Sequence, residues 1–417
     1  MKIKTDRLVL FIYLIPLLAL PYYANEIYKL INYLATAFFF AYEVLFKVKK
    51  IRIKTYNKTY FGYPIWLAAF GLFVLLASFW SNNRGASLSK ALLLFVVVIG
   101  QIALLLWSNF DLKRVEYIIN VSLLITSIVL IKTILTTPFA ALGYQDLFSA
   151  YTGFDKNGFA MMGAFLSVCA LYEYLKSGNK KFIVYWILMF AMAIIGASRK
   201  GALIAIISWP MMLVLKNKPS KKVAYIGGFS ILALIGIYFM LTNETLYSLI
   251  GERLSALFLS LLNKGSSDGS IAERTVMRRM AMMLFNQKKI LGWGTDGFAI
   301  QTQQFWGRYV YSHCNYTELL CNFGVVGFAL FYSFPVRVLI LLIKKMRTYK
   351  IAYVFSFIII FMYTVFEYGL VSYYSPIPFF MKTLAIIVLS IELKGKSQRE
   401  RDDKEADSRC AFFKNTI

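Results

Sequence analysis

The chain holds one histidine, His313, within Tyr311-Ser312-His313-Cys314-Asn315-Tyr316-Thr317-Glu318. Imidazole exchanges protons near neutral pH without tuning, so His313 is the candidate general base; a structural interfacial histidine is the plainer alternative. Glu318 follows five residues later, about 500° around a helix, and is expected to cap or orient the segment rather than stack on the imidazole. Ser198-Arg199-Lys200-Gly201 joins two short apolar runs, 182–197 and 201–215. Adjacent charges there are costly unless they face a cavity or bind an anion, although both side chains could also snorkel to the interface. Arg274 and Arg278 would share one helix face, where two guanidinium groups can clamp a diphosphate. A solvated basic face partly paired with Glu273 is the alternative. Asp155-Lys156-Asn157-Gly158 has the composition of a helix N-cap. With a single histidine a multi-histidine metal site is impossible, no outer carboxylate cluster resembles a cation site, and Cys169, Cys314, Cys321 and Cys410 show no metal-like or paired spacing.

What must position these residues follows from composition. Of 417 residues, 59% are apolar and 16% charged, against nearer half and a quarter in soluble domains. Disorder is excluded by the same figures. The chain reads as an all-α polytopic membrane protein of about twelve transmembrane helices. Apolar runs fall near 8–23, 28–46, 61–80, 88–107, 117–135, 158–175, 182–197, 201–215, 223–241, 320–343, 351–371 and 376–393. The first follows Met1-Lys2-Ile3-Lys4 without a small-x-small cleavage pattern, so it is expected to be retained as a span. The net charge of +25 could suggest nucleic-acid binding. Most basic residues, however, sit in short gaps between apolar runs, where they report topology and contact with anionic lipid. With both termini cytoplasmic, the inner gaps carry 29 Lys and Arg and the short outer gaps carry 7.

This phase leaves four expected regions. Residues 1–241 carry spans one to nine, 242–319 form one long extracytoplasmic loop, 320–393 carry spans ten to twelve, and 394–417 are a charged cytoplasmic tail. Within the loop, Leu246, Leu249, Ile250, Leu254, Leu257, Phe258 and Leu261 predict an amphipathic helix. Gly265–Ser270 is a break, and a second helix from near Ser270 carries Glu273, Arg274, Arg278 and Arg279. Gly292-Trp293-Gly294-Thr295-Asp296-Gly297 reads as a turn. Glu367 and Lys382, near the outer ends of the last two runs, could pair across the bundle.

Taken in order, these segments resemble the O-antigen ligase and polymerase superfamily. The resemblance rests on Asp155-Lys156-Asn157 opening a middle span and on Ser198-Arg199-Lys200-Gly201-Ala202 joining two spans. It continues through Arg274, Gly292-Trp293-Gly294, and His313 through Glu318 followed by Gly324-Val325-Val326-Gly327. Cys314 stands where the family usually has asparagine, with Asn315 as the substitute, and Lys288-Lys289 stands where a proline is common. The resemblance implies a GT-C-like glycosyltransferase of the bacterial cytoplasmic (inner) membrane with its site on the extracytoplasmic face. Its donor would be an undecaprenyl-diphosphate-linked oligosaccharide, used without metal or other cofactor for O-antigen, capsule or exopolysaccharide. His313 would be catalytic, Arg199, Arg274, Lys200 and Arg278 would bind diphosphate, and Asn157, Asn315 and Glu318 would support them. Trp293, Phe298, Phe305, Trp306, Tyr309 and Tyr311 could stack on sugars or sit at the interface. A repeat-unit polymerase is the leading expectation and a ligase onto lipid A–core the alternative. A polysaccharide flippase or transporter is the alternative of another class. Membrane lipid, and a chain-length regulator and flippase of the same pathway, are the expected partners; no nucleic acid is expected.

Overall fold

A computed structural model of the chain describes residues 5–21, 25–47, 58–138, 141, 145–196, 198–243 and 269–394. Among them all regular structure is helical, and each of the twelve apolar runs overlaps a helix. In chain order these are α1 (Thr5–Ala19), α2 (Glu26–Lys47), α3 (Lys58–Leu76), α4 (Arg84–Ser108), α5 (Leu112–Thr136), α6 (Gln145–Thr152), α7 (Lys156–Ser177), α8 (Lys181–Ile195), α9 (Arg199–Lys216) and α10 (Pro219–Thr242). After the loop come α11 (Gly269–Gln287), α12 (Gly297–Trp306), α13 (Asn315–Lys345), α14 (Ile351–Phe366) and α15 (Pro376–Lys394). Eight of the described helices are long and apolar enough to cross a membrane: α2, α3, α4, α5, α7, α13, α14 and α15. Helices suit this setting because every backbone polar group is satisfied within the segment. The amphipathic helix expected near 246–261 and the tail from 395 lie outside the described residues.

Caps fix several starts and stops. Asn83 and Asp111 accept from Ala86 N (3.0 Å) and Lys113 N (2.9 Å), and α7 ends on Gly178 in the left-handed region. α7 lies at the centre: 83% of its apolar window is buried, against 28% for α2. It packs on α8, α9 and α14. Stacked ring pairs Phe165–Tyr363 (3.6 Å) and Tyr172–Phe355 (4.4 Å) carry the α7–α14 contact.

Small residues set the approach of the α8–α9 turn to α7. A Cβ at Gly196 or Gly201 would come within 2.6 and 2.9 Å of the Ala160 Cβ. Only glycine therefore lets that turn, with Arg199 and Lys200, sit against the first turns of α7. The stretch from α11 to α13 has a core of its own, in which Met277, Ala281, Leu284, Phe298 and Cys321 are buried together. α11 and α12 both pack on α13.

Candidate active site

The His313 turn is built by what precedes and follows it. α12 ends at Gly307 in the left-handed region, and an irregular stretch leads to Cys314, the N-cap of α13. His313 itself has φ 58°, a conformation uncommon for a residue with a Cβ. The turn is held from inside: Glu318 Oε2 accepts from Ser312 N (2.7 Å), and Ser312 Oγ donates to Cys314 O (2.9 Å). Glu318 thus reaches back over the turn and orients it, while the N-cap Cys314 itself supplies no side-chain cap. The imidazole lies 4.2 Å from the Tyr311 ring, centroid to centroid.

Cations from two distant parts of the chain converge on that imidazole. Its pKa is held down to about 4, first by burial and then by the positive charges of Arg274, Lys200 and Arg278. Lys200 Nζ donates to Gly369 O. Arg278 donates to Thr275 Oγ1 (3.2 Å) and lies 4.6 Å over the Tyr368 ring. Burial raises the Tyr311 phenol, which also feels the charges of Asp155 and Arg274. Four motifs distant in sequence therefore meet at one end of the bundle, where α7, α9 and α13 begin and α14 ends. Asp155 caps α7 through Gly158 N (2.6 Å), with Asn157 in the first turn. Arg199 opens α9 beside the N-cap Ser198, whose hydroxyl is buried without a hydrogen-bond partner.

Both glycine motifs lock the segment between α11 and α12 onto α13. Gly324 interrupts α13 with φ 63° and ψ −165°, and a Cβ there would collide with the Ile290 carbonyl. Around the break, Val325 N donates to Lys289 O (2.8 Å), while Trp293 N and Gly294 N donate to Cys321 O (3.0 Å) and Asn322 O (2.7 Å). The Gly-Trp-Gly turn and the Gly-Val-Val-Gly break are therefore two halves of one backbone junction.

Several structural residues of the site carry no signal in the sequence. Lys90, on α4, pairs with Asp296 Oδ1, and Tyr309 OH donates to Asp296 Oδ2 (2.7 Å). Lys90 also lies 4.2 Å over the Tyr374 ring. Asn322 donates to Glu318 Oε1 (3.3 Å) and Tyr373 OH (3.3 Å) and accepts from Phe298 N (2.9 Å). Lys90 and Asp296 lie 206 residues apart, and no spacing rule reaches that far. The expected Glu367–Lys382 pair is present at 3.0 Å, both side chains almost wholly buried.

Two expectations change. Glu273 pairs with Arg308 (3.4 Å) across an open groove that Val276, Met277 and Trp306 also line, so the Arg274–Arg278 face faces the His313 turn instead. Phe298 is fully buried and Trp293 packs on the same core, its indole N–H on Leu284 O (2.9 Å), so neither presents a face to a sugar. Phe305, Trp306, Tyr309 and Tyr311 remain exposed. Among the described residues, no group of three or more His, Cys, Asp and Glu side chains forms a metal-ligand set.

Residues 184–332 match the family model described as O-antigen ligase. The match runs from α8 into α13 and contains the 198–201 turn, Arg274, His313 and both glycine motifs; Asp155–Asn157 and Glu367–Tyr373 lie outside it. No curated protein matches the chain.

Proposed function

We propose that this chain, a member of the O-antigen ligase and polymerase superfamily by its residues 184–332, is an oligosaccharide repeat-unit polymerase of the bacterial cytoplasmic membrane. Its donor is a glycan on undecaprenyl diphosphate, and its acceptor is the next lipid-linked repeat unit at the extracytoplasmic face. The observation that carries the reading is the gathering of Lys200, Arg274 and Arg278 around the only histidine.

The chemistry follows from those charges. An acceptor hydroxyl attacks the anomeric carbon; the new C–O bond forms as the bond to the diphosphate oxygen breaks, and the electron pair leaves with the diphosphate. Fixed positive charge stabilises that departure at no reorganisation cost. Lys200 and Arg274, with Arg199 at the same helix start, supply it. The start of α9, which carries no side-chain cap, and the Ser198 hydroxyl, which has no partner among the described residues, add donors, since a helix N-terminus favours anions. The hydroxyl proton passes to a nitrogen of the neutral His313 imidazole. Surrounding cations make that imidazole a weak base in the free protein, and a bound diphosphate offsets their charge and strengthens it. Donor binding and base activation are thereby coupled. Metal-independent transfer is part of the proposal, and turnover is expected to persist in excess EDTA.

A ligase acting on lipid A–core would use the same donor chemistry. Tyr316–Leu320 and the following Gly-Val-Val-Gly favour the polymerase. The transporter alternative draws no support from the family match. In a deletion strain, single repeat units on the cell surface would support the polymerase, whereas long unattached polymer on its lipid carrier would replace it with the ligase. Purified protein that moved the lipid-linked glycan between leaflets of liposomes without lengthening it would remove both.

A further inference from the structure

The link between α14 and α15, Glu367–Tyr373, belongs to none of the motifs above and lies outside the matched residues, yet it touches three of the elements that make the site. Its anchor is Glu367, buried with 1% of its surface exposed. Lys382 Nζ (3.0 Å) and Ser372 Oγ (2.7 Å) donate to Oε1; Tyr332 OH (2.7 Å) and Asn315 Nδ2 (3.3 Å) donate to Oε2. Four donors therefore satisfy one carboxylate. Buried ion pairs are poor stabilisers compared with apolar side chains of similar volume, so their use points to a demand for geometry.

What that geometry fixes is visible on both sides of the link. Toward α13, Asn315 Oδ1 accepts from Ser372 N (3.0 Å) and Tyr373 N (3.2 Å), and Asn315 N donates to Leu370 O (3.1 Å). Asn315 is two residues beyond His313, so these bonds fix the backbone on which the imidazole stands. Toward the cations, Gly369 O receives Lys200 Nζ and the Tyr368 ring lies under Arg278.

We infer that Glu367–Tyr373 is the positioning element of the site, with Glu367 setting the His313 turn through Asn315 while Gly369 and Tyr368 hold Lys200 and Arg278 against it. The inference rests on the reading of His313 as the centre of the site. Glu367 and Tyr368 act through other residues and need not touch substrate.

Because the chain has one histidine, its imidazole is a private reporter. The test uses full-length protein in lipid nanodiscs with a histidine-free affinity tag, labelled with isotopic histidine and followed by NMR from pH 7.5 to 4.5. In the wild type the imidazole should stay neutral through most of that range. Glu367→Met with Lys382→Met removes the acceptor and leaves no unpaired charge; its midpoint should rise by about one pH unit, tenfold in the ionisation constant. Glu367→Gln with Lys382→Met keeps one carbonyl oxygen that can accept from both Tyr332 and Asn315, as Oε2 does, and should stay near the wild type. Tyr368→Ala, at a 60% exposed position where folding is not at stake, should give a smaller rise. Ser356→Ala breaks a buried bond to Ala385 O (2.8 Å) between the same two helices and should move nothing. Wild-type titration in both the Met pair and Tyr368→Ala would overturn the inference, as would an equal rise in Ser356→Ala. Should the Met pair not accumulate in membranes, Tyr368→Ala decides alone. The signal needs no turnover: a responsive imidazole in a protein without transferase activity would keep this inference and end the proposed function.

Discussion

His313 carries the sharpest prediction because its protonation is tied to its neighbours. Burial and three cations favour the neutral imidazole, holding its pKa to about 4. The base is competent when neutral, so kcat/KM should lose activity to this group only as pH falls toward 4. A bound diphosphate favours the protonated form, so the acid limb of kcat should lie at higher pH than that of kcat/KM. A kcat limb at or below the kcat/KM limb would contradict the coupling of donor and base. His313→Ala should lower turnover by about 10²–10⁴-fold with normal amounts of protein in the membrane, the usual range for a general base. Wild-type turnover in that variant would remove the base assignment. Arg274→Ala should cost about 10²–10³-fold in kcat, as for loss of one charge-stabilising donor. Arg199→Lys should also reduce activity strongly, because the planar fork is lost while the charge remains.

At the scale of elements, the glycine junction between the 288–294 turn and α13 makes a test independent of chemistry. Gly324 occupies a region of backbone space that is essentially closed to other residues, worth about 1–3 kcal/mol of strain, and an added Cβ meets the Ile290 carbonyl. Gly324→Ala should therefore lower the thermal midpoint of the purified protein along with its activity. An unchanged midpoint would show that the junction yields easily. Lys90→Met leaves Asp296 about 86% buried without its cation and should be similarly destabilising, with Lys90→Arg retaining more. The elements differ in how much of this could be read beforehand. The apolar runs anticipate the long helices, eight of them long and apolar enough to cross a membrane, because burial in lipid needs length and composition and little else. Asp155 is legible as a cap, and Glu318 as a residue that orients its own turn, because both bonds are local. Lys90–Asp296, Asn322 and the role of Glu367 were not legible: their bonds join residues brought together only by packing. The expected Glu273 pairing with its own helix fails for a related reason, since Arg308 arrives from beyond α12.

On the scale of the whole molecule, the alternation of helix directions makes one demand. α7, α9 and α13 begin at the end of the bundle where α14 finishes, and their meeting point carries the cations that the charge bias of the sequence assigns to the outer side. If that end faces outward, cysteines introduced one at a time at the exposed positions Tyr311 and Tyr368 should react with a membrane-impermeant thiol reagent in intact spheroplasts. A cysteine in place of the exposed Lys344, at the far end of α13, should react only after permeabilisation. Cys169, Cys314 and Cys321 are buried, and Cys410, outside the described residues, is replaced by serine in every variant so that it cannot contribute background. The opposite labelling pattern would put the cations on the cytoplasmic side, away from the face on which the proposed donor is displayed. The polymerase proposal would then fail even if His313 proved to be a base.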